Sequence, residues 1–186
     1  MNALLALWLP ILLSAVVVFV LSSLIHMLFK WHNSDYSALA NEDAVREVIR
    51  AGNPTPGQYV LPYCGDMKEM GSEAMLKKYR DGPVGFLSIR PNGQVNMGQF
   101  LGQWFVLCLL VATMAAFLVS QLLNHDPAHA RAAAKLVGAV TFIAYGLGGI
   151  SDSIWMGRPW SSTVKYLFDA ALYAVGSGLV FYCCWR

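Results

Sequence analysis

Residues 3–29 read ALLALWLPILLSAVVVFVLSSLIHMLF, a run without a single Asp, Glu, Lys or Arg. About 20 mainly apolar residues suffice for a helix to cross a bilayer, and such a stretch exposed to water would leave a large apolar surface without cover. A secretory signal would carry a basic start, a shorter apolar core and a small-residue cleavage site. No basic residue precedes Lys30 here and the run is longer, so the sequence predicts a retained membrane helix over 3–29. Pro10 is expected to kink it without ending it, because neighbouring helices satisfy the freed backbone groups in lipid.

Three further apolar runs follow, at 99–123, 130–150 and 162–184. The chain is 56% hydrophobic and 13% charged, with a mean hydropathy of +0.48. Soluble domains carry about 25% charged residues, so composition agrees with the runs. The fold class expected is an all-α membrane protein: a four-transmembrane-helix bundle with a small α+β loop subdomain over 30–98. A net charge of +2, mixed in sign along the chain, excludes a nucleic-acid surface. The lipid bilayer is the one partner that follows directly. A membrane-protein partner or a homo-oligomer is compatible with so thin a bundle.

Sidedness follows from lysine and arginine. The loop carries Lys30, Arg46, Arg50, Lys68, Lys77, Lys78, Arg80 and Arg90, and Arg158 and Lys165 fall on the same side. Arg131, Lys135 and Arg186 fall on the other. The sequence therefore predicts a cytoplasmic loop, with both termini on the other side of the membrane. Trp31, Trp104, Trp155, Trp160 and Trp185 lie near predicted interfaces, where indoles are enriched.

Lipid supplies no hydrophobic drive between helices, so close packing depends on small residues. Ala130, Ala134 and Gly138 recur every four residues in the third run, and Ala170, Ala171, Ala174, Gly176 and Gly178 crowd the fourth. These two helices should pack face to face. Within the loop, NEDAVREVIRAG predicts a helix capped by Asn41 and ended by Gly52, with Val45, Val48 and Ile49 as an apolar stripe. Ser72 to about Arg80 predicts a second helix, stopped near Gly82. PVGFLSIRPNGQVNM predicts a strand, a Pro-Asn-Gly turn and a short return strand.

The series KWHNSDY (30–36), PGQYVLP (56–62), GPVGFLSIRPNG (82–93), MGQFLGQWF (97–105) and SIWMGRPWSSTVKYLFDAALYA (153–174) resembles a set of small bacterial inner-membrane proteins with four spans and no assigned function. The resemblance covers most of the chain. It implies the same topology and a bacterial source, and it brings no catalytic or binding residue with it.

Chemistry must then come from the residues. Cys64 and Cys108 are isolated and Cys183 adjoins Cys184, so no C-x-x-C redox or zinc motif exists. No G-x-S-x-G elbow marks a nucleophile, and Ser161 or Ser162 is expected to cap the fourth helix. Haem between paired histidines requires two at one depth. His125 and His129 sit at the end opposite His26, and His26 and His32, six apart, do not share a helix face. The expectation is therefore no cofactor and no metal, with His26 a buried hydrogen-bonding residue.

One cluster remains. Asp169 falls well inside the fourth run, where a lone carboxylate needs a partner. Lys165, four residues earlier, is the expected one. Asp152 and Arg158 belong to the preceding turn, and His26 ends the first run at a similar level. Two readings stay open. In one, Lys165–Asp169 is a structural pair and the protein is a non-enzymatic accessory or interaction protein whose loop engages a partner. In the other, His26, Asp152, Arg158, Lys165 and Asp169 line a polar pocket for a headgroup, quinone or small anion, for binding or transport.

Overall fold

The computed structural model describes residues 3–185, and is mostly helical. Four of its helical stretches are long and apolar enough to cross a membrane: Trp8–Phe29, Met97–Leu122, Pro127–Trp155 and Trp160–Cys184. The chain divides into two compact units, one built from the residues up to Tyr36 and from Asn96 onward, the other from Ser37–Val95.

The first unit is the bundle. Its elements are α1 (Ala3–Ala6) and α2 (Trp8–Ser23), which a π-helical turn extends to Phe29. The break before α2 falls at Leu7, three residues ahead of Pro10. The cause is steric: a proline ring meets the carbonyl four residues earlier and offers no N–H in return. The helices labelled α5 (Met97–Leu122), α6 (Ala130–Gly146), α7 (Ile150–Trp155) and α8 (Trp160–Cys184) complete the unit. Packing runs in a ring, α2 on α5, α5 on α6, α6 on α8 and α8 back on α2.

Small residues set the approach between α6 and α8. A Cβ added at Gly178 would lie 3.0 Å from the Ala134 carbonyl oxygen, and one at Gly138 would lie 3.3 Å from that of Ala174. On the other face of α8, a Cβ at Gly176 would meet Val17 Cγ1 at 2.8 Å. Trp185 closes one end of the bundle. It is buried, and its Nε1 donates to the Asp126 carbonyl at 3.0 Å, tying the end of α8 to the α5–α6 turn.

The second unit holds α3 (Glu42–Ala51), β1 (Gly57–Leu61), α4 (Glu73–Asp81) and β2 (Gly85–Ile89). Ser72 caps α4 by accepting from the Met75 N–H, and Gly82 ends it at a φ of +63° that favours glycine. Asn41 precedes α3 but makes no side-chain cap bond. The expected local hairpin is corrected. β2 pairs antiparallel with β1, Tyr59 opposite Leu87, and no return strand follows the Pro-Asn-Gly turn. Only Gln94 and Val95 separate that turn from Asn96, whose Oδ1 caps α5 by accepting from the Gln99 N–H, so no length is left for a strand.

Candidate functional site

The site lies where the first span stops being an α-helix. From Leu24 to Phe29 the backbone widens into a π-turn, closed by Lys30 N–H donating to the Ile25 carbonyl. Lys30 then takes a left-handed conformation (φ +53°), and residues Trp31–Asp35 form a 3-10 turn. This reversal returns the chain onto itself. His32 comes to rest against His26, ring centroids 4.6 Å apart. A continuous helix would have kept residues six apart on different faces, so the sequence-based separation of the two histidines is corrected here. The signal that exposes it is the KWHNSD segment itself, polar residues with turn character directly after an apolar run.

His32 is the centre of the network. Its Nδ1 lies 2.7 Å from Asp35 Oδ2, and its Nε2 lies 2.8 Å from Asp169 Oδ2. All three side chains are buried. Both ring nitrogens face acceptors, so His32 donates twice as an imidazolium, or one carboxyl holds the proton. Asp35 Oδ1 in turn accepts from Lys165 Nζ at 2.6 Å. With His32 protonated, two carboxylates face two cations and the buried group is electroneutral.

The expected Lys165–Asp169 pair is not formed. Lys165 instead donates to three oxygens of the 3-10 turn: the Trp31 carbonyl (2.9 Å), Ser34 Oγ (2.8 Å) and Asp35. The physical reason is competition. The turn offers a focused set of acceptors, while the Asp169 carboxylate is already engaged by His32. Burial pushes the Asp35 carboxyl up, but hydrogen bonds from Lys165, His32 and Ser162 outweigh it and hold Asp35 below its ordinary value. Ser162 is thereby explained, though not as the expected cap. α8 begins earlier, at Trp160 after Pro159, and the buried Ser162 hydroxyl serves Asp35.

Asp169 sits nine residues into α8, about 14 Å from its start at 1.5 Å per residue. Its Oδ1 is buried and has no hydrogen-bond partner. A buried carboxylate oxygen left unpaired is costly, and it belongs to the carboxylate whose other oxygen meets His32. His26, His32 and Asp169 each offer a donor atom, and the three atoms lie within 4.8 Å of one another. His26 itself is neither buried nor hydrogen-bonded, contrary to expectation. It lines a groove between α2 and α5 with Ser22, Met27, Met97 and Trp104.

The other two expected members stand at the edge. Asp152 belongs to α7, the last helical turn of the third span, and pairs with Arg158 at 3.1 Å, both partly exposed. Arg158 lies 5.3 Å over the Tyr166 ring, and Tyr166 packs against His32 in a tilted arrangement, 4.7 Å between centroids. Arg158 thus reaches the core of the site only through Tyr166. Of the five sequence candidates, the structure gathers His26 and Asp169 with Lys165 at one remove, adds His32, Asp35 and Tyr166, and leaves Asp152 and Arg158 peripheral.

No protein-family model, curated protein or solved structure matches this chain. Its functional reading rests on this buried network.

Proposed function

We propose that this is an integral protein of a bacterial inner membrane whose function is carried by a ligand-binding site at the loop-side end of the bundle. The bundle end from which residues 37–95 depart faces the cytoplasm, in keeping with the excess of lysine and arginine there. The bacterial source is in keeping with the resemblance of the five motifs to small four-span inner-membrane proteins.

The observation that carries the reading is His32 held between Asp35 and Asp169 while Asp169 Oδ1 stays buried and unpartnered. An unsatisfied buried polar atom weakens the fold, and here it sits on an ionisable group already bound to a histidine. Ionisable residues inside membrane spans mark functional sites by default. The exposed His26 lines the α2–α5 groove beside the network.

Native mass spectrometry of the protein gently extracted from its own membrane tests this. A bound mass on the wild-type chain that disappears from a folded Asp169→Asn variant is the expected result. Identical spectra for the two, with both chains bare, would leave the network structural.

A second reading has its own support. In α3, Val45, Val48 and Ile49 form the apolar stripe, no residue of the helix is buried, and a groove continues past Leu61, Val84 and Phe86. An accessory protein that presents this face to a protein partner would yield a stoichiometric complex in the same spectra, dissolved by Val48→Glu.

A further inference from the structure

We propose that His26, His32 and Asp169 bind one divalent transition-metal ion of the zinc, cobalt or iron(II) class. This rests on the reading of the network as a binding site and names its ligand. Two histidines and one carboxylate are a donor set suited to such ions, whereas calcium and magnesium require cages of oxygen. The donor atoms already lie within 4.8 Å of one another. Ligands of one tetrahedral ion sit about 3.4 Å apart, given bonds near 2.1 Å, so small side-chain rotations close the site.

Three features beyond the cluster point to an ion. Asp169 is 2% exposed and its Oδ1 is unpartnered, a buried acceptor on the same carboxylate that meets His32. His32 Nδ1 is fixed by Asp35, which Lys165 fixes in turn. A carboxylate on the far nitrogen is the arrangement that sets the tautomer and orientation of metal-binding histidines and raises their basicity. It leaves Nε2 facing Asp169 and His26. The third feature is the placement of His26, whose ring centroid lies 4.6 Å from that of His32 and which borders the groove outside the hydrogen-bond network.

Binding then has a defined proton balance. The Nε2 proton shared between His32 and Asp169 leaves to bulk solvent, and the ion takes its place between the two atoms. The Asp35–Lys165 pair is unchanged. Three protein ligands leave a further coordination position, directed to the side where His26 meets the groove, for water or an exchangeable ligand.

The test uses the full chain in nanodiscs, free of any histidine tag, stripped with chelator and titrated with Co2+ alone. Visible d–d absorption and elemental analysis are the readouts. One Co2+ per chain, displaced by Zn2+, is expected. His26→Gln removes no hydrogen bond of the network, so its unfolding temperature stays while stoichiometric binding is lost. Asp169→Asn loses binding as well, and Asp35→Asn weakens it by roughly 10–100-fold. His125→Gln, at the other end of the bundle, binds as wild type does. Absence of Co2+ binding by the wild type, or equal binding by His26→Gln, overturns the proposal. If the wild type binds no Co2+ yet carries an organic mass that Asp169→Asn loses, the metal is wrong and the binding site stands. If neither ion nor bound mass is found, both fall.

Discussion

Lys165 donates to Asp35 across 2.6 Å and so fastens the fourth span to the turn that ends the first. Removing one member of a buried pair strands the other, at a penalty of about 3–5 kcal/mol, reduced here because the lysine side chain is 27% exposed. Lys165→Met should therefore destabilise the bundle by about 1–3 kcal/mol. Asp35→Asn added to it should restore part of the loss. A double-mutant cycle on thermal unfolding in nanodiscs should give a coupling of about 0.5–3 kcal/mol for Lys165 with Asp35. The coupling of Lys165 with Asp169 should be smaller. Equal couplings would return Lys165 to Asp169 as its partner.

Arg158 and Asp152 meet at 3.1 Å but stay about 40% exposed. Exposed pairs contribute about 0–1 kcal/mol. Arg158→Gln should shift stability by less than about 1 kcal/mol, and it should leave ligand or ion binding within a few-fold of wild type. A loss of binding as deep as that of Asp169→Asn would move Arg158 into the site.

Gly176 and Gly178 face two different helices, Val17 of α2 and the Ala134 backbone of α6. Overpacking of this kind destabilises by about 1–3 kcal/mol. Gly176→Ala and Gly178→Ala should each lower the unfolding temperature. Gly102→Ala, with open space around its Cβ position, should leave it unchanged or raise it slightly. A drop for Gly102→Ala equal to the other two would mean that packing is not the cause.

Sidedness can be read with two exposed asparagines, Asn92 in the segment before α5 and Asn124 in the segment after it. On the proposed topology, a membrane-impermeant maleimide applied to intact cells should label Asn124→Cys, in a background without native cysteines, and should reach Asn92→Cys only after the membrane is opened. The reverse pattern would invert the topology.

The loop unit shows where local signals were legible. Ser72 and Gly82 bound α4 because capping and a positive φ are decided within a few residues, and the sequence displays them. The partner of β2 was not legible. β1 lies 28 residues earlier, counting from Gly57 to Gly85, and strand pairing is a contact between distant residues. The candidate site divides in the same way. Asp169 and Lys165 stand out as charges in an apolar run, and His26 as the one titratable residue of the first. His32 and Asp35 look like ordinary loop residues until the left-handed Lys30 turns the chain back.

By itself the sequence determined four apolar helices long enough to span a membrane, the small-residue face between α6 and α8, and the presence of charges near one bundle end. Each depends on composition averaged over a stretch of chain, and burial in lipid responds to that average. Which charges meet was decided only by the tertiary structure. One residue of helical advance rotates a side chain by about 100°, so a single π-turn at Leu24–Phe29 re-aims everything after it. That turn, the reversal at Lys30 and the register of α8 against it bring His32 to Asp169, and no local pattern in the chain encodes that encounter.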